Sequence, residues 1–261
     1  MWKIGILIAG STFLALYVLL LFTLIFKTPD LLYRFDFGGI SAAGKTMERK
    51  ETDTFKGWYE VTGEAVPILV FVGNVGATMD GYMKTRALAA SGHPVFILSY
   101  PGTEGDFRKP SETIILEDAR SAYDWLAQAH GRPPIIYGIS LGAAVATAVA
   151  AEREPAALVL EMPFESVYAM GRQMFPLAPP VDILPANRWR TIDRISAISA
   201  PTLVLHGTED RLIPYAQGLS VFNASRAERK AFISVDGGGH NNLHSFGVEQ
   251  DISSFLAENL E

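Results

Sequence analysis

Residues 138–142 read Gly-Ile-Ser-Leu-Gly and match the pattern G-x-S-x-G. Chance alone places such a pattern in roughly one chain in ten of this length, so its context carries the argument. It follows the apolar run "PPII" and opens the alanine-rich stretch "SLGAAVATAVAAERE", as a strand, a sharp turn and a helix would require. Flanking glycines let strand and helix approach closely while Ser140 occupies a strained backbone conformation at the apex. The hydroxyl would then stand above a helix N-terminus that favours developing negative charge.

A serine hydroxyl is a weak nucleophile unless a base takes its proton. The pattern therefore asks for an acid and a histidine later in the chain, in that order. Asp210 follows the run "PTLVLHG", and His240 follows "KAFISV" on a triple-glycine loop, "GGGHNNL". Asp210 would accept the imidazole Nδ1 proton and fix the tautomer, leaving Nε2 to act as base. Glu209 is explained as a surface carboxylate, and Glu161, after "LVL", is a less apt substitute acid. His93 precedes a strand, His130 ends a helix and His206 lies in a turn, whereas His244 rivals His240 as the base. An oxyanion would be held by the N–H of Leu141, just after the nucleophile, and by the N–H of Asn74 in "VFVGNVGATMDG". That loop lacks the lysine and spacing of a phosphate-binding turn.

These residues need a scaffold that delivers strand ends to one edge. From residue 54 onward, short apolar runs bounded by Gly or Pro (66–73, 93–102, 133–138, 156–163, 200–207 and 230–239) alternate with helix-like stretches near 79–91, 111–130, 140–153, 214–228 and 245–259. Continuous aliphatic runs separated by helices imply strands buried on both faces. The expected fold is α/β, a mainly parallel sheet with helices on both sides. Residues 54–62 read as an antiparallel edge strand. More than thirty residues separate Pro163 from Ala200, more than a helical crossover needs. Met170, Met174, Phe175, Leu177, Ile183, Leu184 and Trp189 among several prolines suggest a small cap over about 164–199. The alternative is a longer crossover helix with a Pro-rich surface loop.

Composition adds a further element. Apolar residues make up 49% of the chain and charged residues 19%, a surplus for a soluble domain. Residues 4–26 carry no charge and lie between Lys3 and Lys27. As a helix they would reach roughly 35 Å, enough to cross a bilayer. No small-x-small cleavage site follows, so residues 1–27 read as an uncleaved N-terminal transmembrane anchor and 28–53 as a polar connector. Lys3 stands before the span and Lys27, Arg34, Lys45, Arg49 and Lys50 after it, a count that slightly favours a cytoplasmic C-terminal domain, while the short N-terminal tail also suits an N-in anchor, so the side of the membrane is left open. The net charge of -6, with no basic stripe, argues against nucleic acid as a partner. The chain has no cysteine, which removes disulfides, thiolate nucleophiles and Cys-ligated zinc.

From about residue 54 to the end, the chain resembles the α/β-hydrolase superfamily, in particular its membrane-anchored serine-hydrolase branch with serine aminopeptidase-like or monoglyceride lipase-like domains. The motifs "VGNVG", "YPGTEGD", "GISLG", "HGTEDRLIP" and "GGGHNNL" carry the resemblance in that order. Such relatives usually have His-Gly-Asn where this chain has Val72-Gly73-Asn74, which keeps the backbone donor but removes a polar prop. They also have Tyr-Arg-Gly-Tyr-Gly where this chain has Tyr100-Pro101-Gly102-Thr103-Glu104-Gly105, which changes the pocket rim.

The expectation is a membrane-anchored serine hydrolase that cleaves a carboxylic ester or thioester of a small-molecule or lipid-like acyl substrate, with no metal or cofactor. Amide or peptide hydrolysis is the enzymatic alternative, for which Glu165 and Asp182 could receive a free amine or simply be solvated. The non-enzymatic alternative is a membrane-tethered binding module that keeps the fold.

Overall fold

In a computed structural model of the protein, residues 2–35, 46–75, 78–174 and 187–260 are described. The strands are β1 (Glu48–Glu51), β2 (Lys56–Glu60), β3 (Ile68–Phe71), β4 (Val95–Ser99), β5 (Ile135–Ile139), β6 (Ala157–Glu161), β7 (Thr202–Gly207) and β8 (Lys230–Val235). They form one sheet in the order β1-β2-β4-β3-β5-β6-β7-β8. β1 and β2 are antiparallel, β2 meets β4 antiparallel, and every pairing from β4 to β8 is parallel.

The aliphatic runs became strands because helices cover both faces of the sheet. Every residue of β3, β4, β5, β6 and β7 is buried, which accounts for the absence of polar alternation along them. The helices are α1 (Trp2–Leu32), α2 (Thr78–Ala90), α3 (Glu112–His130), α4 (Leu141–Glu152), α5 (Val167–Met174), α6 (Thr191–Arg194), α7 (Tyr215–Ala224) and α8 (Val248–Asn259). α2 packs with α8, while α3, α4, α6 and α7 form a second contiguous group. α3 shows the usual sequence logic. Ser111 caps its first turn through a bond from the Ile114 N–H, Gly131 ends it in the left-handed region at φ 64°, and Ile115, Ala119, Ala122 and Leu126 form its buried stripe.

α4 differs, being buried from Leu141 to Ala150 with mostly alanine and valine side chains. Small residues let it lie close to the centre of the sheet. A Cβ on Gly142 would sit 1.9 Å from the Phe71 carbonyl oxygen, and one on Gly138 would sit 2.5 Å from that of Gly142. Both glycines around Ser140 are thus required by space as well as by the turn.

The polar connector at 28–53 contains strand β1, whose sequence Glu-Arg-Lys-Glu has no apolar alternation to reveal it. Pairing with β2 holds it, and its charges protect an exposed sheet edge. α1 runs through the expected anchor and on to Leu32. Among the described residues, however, no helix is long and apolar enough to cross a membrane. Of the expected cap, α5, α6 and a short 3-10 helix at Ile195–Ala197 are seen, whereas Phe175, Leu177, Asp182, Ile183 and Leu184 lie outside the described residues, as does Gly76 in the loop after β3.

Candidate active site

The parallel strands deliver their carboxyl ends to one edge, and the residues singled out above converge there. Ser140 stands between β5 and α4 with φ 55° and ψ -114°, a conformation that a residue with a side chain avoids. Two backbone bonds hold it. Its N–H donates to the Glu161 carbonyl at the end of β6 (2.9 Å), and its own carbonyl accepts from the Ala143 N–H (2.9 Å).

The Ser140 Oγ lies 3.1 Å from the His240 Nε2. On the other side of the ring, the His240 Nδ1 lies 2.7 Å from the Asp210 Oδ2. A carboxylate can only accept, so Nδ1 carries the proton and Nε2 is left to accept from the Ser140 hydroxyl. Asp210 is itself fixed, its Oδ1 accepting from the N–H groups of Leu212 and Ile213, each at 2.9 Å. Burial alone would raise the Asp210 pKa. Hydrogen bonds from His206, His240 and the Ile213 N–H outweigh burial and hold the carboxyl well below the usual carboxylate range. The loops bearing acid and base are also joined directly, through Glu209 N–H to the Gly238 carbonyl (2.8 Å) and Thr208 N–H to the Val235 carbonyl (3.0 Å).

For the expected oxyanion donors, the structure gives positions in the chain. Leu141 is the first residue of α4. Asn74 lies in the turn after β3, next to Gly73, on which a Cβ would come 3.6 Å from the Ser140 Cβ. The polar prop lost at Val72 has a counterpart that sequence reading missed, since the buried Tyr100 hydroxyl donates to the Val72 carbonyl at 2.9 Å. No local pattern announces this, because the two residues lie just past the ends of the neighbouring strands β3 and β4, 28 positions apart.

The side chains of the other candidates have different principal partners. His93 Nδ1 meets the Val66 carbonyl (2.7 Å), His130 Nε2 the Tyr59 hydroxyl (2.6 Å), and His206 Nε2 donates to the Ile213 carbonyl (2.9 Å). Glu209 is exposed. Glu161 and His244, the substitute acid and the rival base, are bound to one another instead, with His244 Nε2 2.7 Å from the Glu161 Oε1. Glu165 contributes backbone to the cap, its N–H donating to the Gln217 Oε1 at 3.1 Å. Among the described residues, no cluster of three or more His, Asp or Glu side chains is arranged to hold a metal ion.

The "YPGTEGD" loop after β4 is organised by Glu104, which has φ 50° and accepts from Ser99 Oγ and Trp58 Nε1, each at 2.8 Å, and from Arg49. The chain just beyond α1 rests beside this loop. The Phe35 ring packs on Tyr100 with centroids 5.2 Å apart, and Tyr33 donates through its hydroxyl to the Asn187 Oδ1 (2.7 Å) while accepting from Trp189 Nε1 (3.1 Å).

Comparison with known proteins places this architecture. A family model described as the alpha/beta hydrolase family matches residues 69–191. An uncharacterized protein of Mycobacterium tuberculosis is 37% identical over 201 residues, covering 75% of this chain and 71% of that protein. The lysophosphatidylserine lipase ABHD12 of Xenopus tropicalis is 29% identical over 211 residues, and the match spans 72% of this chain and about half (52%) of that longer protein. Among solved structures, an esterase of Pyrococcus furiosus superposes with a TM-score of 0.67 at 15% identity, covering 87% of this chain and 96% of its own. By its strand order, its matched segment and these relatives, the chain belongs to the alpha/beta-hydrolase family.

Proposed function

We propose that the protein is a membrane-anchored serine hydrolase that cleaves a carboxylic ester or thioester of a lipid-like acyl substrate through an acyl-enzyme on Ser140. The observation that carries the reading is the contact between Ser140 Oγ and His240 Nε2 at 3.1 Å, made by a serine with positive φ. His240 takes the hydroxyl proton as Oγ attacks the acyl carbonyl. The N–H groups of Leu141 and Asn74 receive the oxyanion, and Asp210 stabilises the imidazolium. Collapse expels the alcohol or thiol, which takes the proton from His240. Water, deprotonated by the same imidazole, then releases the acid and restores Ser140.

Two observations favour a lipid-like substrate. One named relative is a lysophosphatidylserine lipase. The other is α1, in which residues 10–20 are exposed apart from the half-buried Tyr17. A helix with apolar side chains exposed around its circumference is at home in lipid rather than water. The segment that follows it packs through Phe35 on Tyr100, which holds the carbonyl two residues before Asn74, so an anchored chain would keep its reacting edge close to the bilayer.

A fluorophosphonate probe offered to the full chain in detergent micelles tests the reading. Wild-type protein should label at Ser140, with Ser140→Ala unlabelled and His240→Ala strongly slowed. An unlabelled wild type would remove the hydrolase reading. Turnover of p-nitrophenyl esters from acetate to palmitate, set beside aminoacyl amides, tests the substrate class, and amide turnover exceeding every ester would reverse it.

A further inference from the structure

Behind the nucleophile lies a second polar cluster that the proposed chemistry does not use. Glu161, fully buried at the end of β6, accepts from Lys84 Nζ of α2 at 3.0 Å through Oε2. Its Oε1 receives the Tyr137 hydroxyl of β5 and lies 2.7 Å from the His244 Nε2. The other nitrogen of His244, Nδ1, lies 2.7 Å from the Glu249 Oε1 of α8. Asp80 completes the surroundings, 3.6 Å from Lys84 on the solvent side.

Two features give this cluster a bearing on the active site. His244 sits four residues beyond His240 on the loop that leaves β8, so whatever holds His244 limits where His240 can stand. Glu161 also accepts the Ser140 N–H through its backbone carbonyl at 2.9 Å. One residue therefore grips the nucleophile's turn with its main chain and the base's loop with its side chain.

We propose that Glu161 and His244 are positioning residues that hold His240 in register with Ser140, and that the hold requires His244 to be a doubly protonated imidazolium. The proposal rests on reading Ser140 and His240 as nucleophile and base. The protonation state follows from geometry. Each ring nitrogen faces a carboxylate oxygen at 2.7 Å, and carboxylates only accept, so both nitrogens must donate.

The electrostatics agree with the geometry. Burial opposes charge on His244, but its bonds to Glu161 and Glu249 and the Glu161 charge raise its pKa above the usual imidazole value. Lys84 pulls the other way, and Tyr137 adds no charge to the imidazole. A group with a raised pKa makes its contribution below that value and loses it as pH rises through it. The brace should therefore slacken on the alkaline side.

The experiment uses the full chain in micelles and measures kcat and KM for a p-nitrophenyl ester from about pH 6 to about pH 10, with ¹⁵N-histidine NMR alongside. His244→Gln keeps one donor for Glu161 and cannot bridge to Glu249. It should lower kcat about tenfold with KM little changed, and the alkaline limb should vanish. Glu249→Gln keeps an acceptor oxygen for Nδ1 and removes only the outer negative charge; it should move that limb to lower pH while leaving neutral-pH kcat within about threefold. A residue serving stability alone would alter the melting temperature and leave both the limb and the split between kcat and KM untouched. Glu161→Gln is less informative, because it strands Lys84 and can fail to fold. In wild-type protein, NMR should show both His244 nitrogens protonated at neutral pH. A bare His244 nitrogen there, or wild-type kcat and pH profile in both His244→Gln and Glu249→Gln, would overturn the brace. Wild-type protein that neither turns over ester nor labels at Ser140 removes the hydrolase reading, and the catalytic role of the brace with it, whatever NMR shows.

Discussion

Two histidines on one loop, four residues apart, meet different partners and are given different work. His240 stands between a carboxylate, Asp210 at 2.7 Å, and a hydroxyl, Ser140 at 3.1 Å. His244 stands between two carboxylates, Glu161 and Glu249, each at 2.7 Å. A hydroxyl can donate, so His240 can keep one bare nitrogen and serve as a base. Two carboxylates cannot donate, so His244 is held charged and becomes a tie. The pair shows that the partner on the far side of the ring, more than the presence of a carboxylate, decides whether an imidazole is poised to take a proton.

The sharpest way to separate the two is to remove each ring. His240→Ala should lower kcat by about four orders of magnitude while leaving the melting temperature nearly unchanged. His244→Ala should do the reverse in kind, destabilising by about 1–3 kcal/mol in thermal or urea melts because Glu161 loses a buried donor, with a much smaller loss of turnover. Equal kinetic losses from the two would erase the distinction.

Acid titration probes the tie from its other end. Burial would raise the Glu161 carboxyl, but Lys84, His244 and Tyr137 hold it down at about 2. A depressed pKa contributes stability that is present above the unfolded value and is lost as pH falls through the folded one. Stability should therefore drop between about pH 4.5 and about pH 2, on the order of 3 kcal/mol from this group. Chemical denaturation across that range checks it, and Glu161→Gln, where it folds, should flatten that component.

How much of this was legible in the chain depends on the range of the forces involved. The apolar runs at 66–73, 133–138 and 200–207 became β3, β5 and β7 with ends shifted by only a few residues, since a doubly covered strand must be apolar throughout. Ser140, Asp210 and His240 could be proposed together because each follows such a strand and the parallel sheet brings those ends to one edge. β1 was hidden, as its four charged residues are strand only by virtue of β2. The Glu161 cluster was hidden for a related reason. Glu161 stood out as a charge ending a buried run, but Lys84 and His244 reach it from 77 and 83 residues away, and no spacing rule encodes that meeting. Tyr100 looked like part of a divergent rim motif, whereas its hydroxyl supports the loop beside Ser140.

The smallest expected effect concerns that support. Tyr100→Phe keeps the ring against Phe35 and removes only the donor to the buried Val72 carbonyl. It should cost about 1 kcal/mol in stability and lower kcat a few-fold with KM nearly constant, read from ester kinetics. A change in KM alone would assign Tyr100 to substrate binding instead.

The most direct test of the central claim is pre-steady-state hydrolysis of a p-nitrophenyl ester by the full chain in micelles, quenched for peptide mapping. The expected result is a burst of about one p-nitrophenol per protein, with the acyl group recovered on Ser140 and both signals absent in Ser140→Ala. Acylation of another residue, or undiminished turnover in Ser140→Ala, would contradict it.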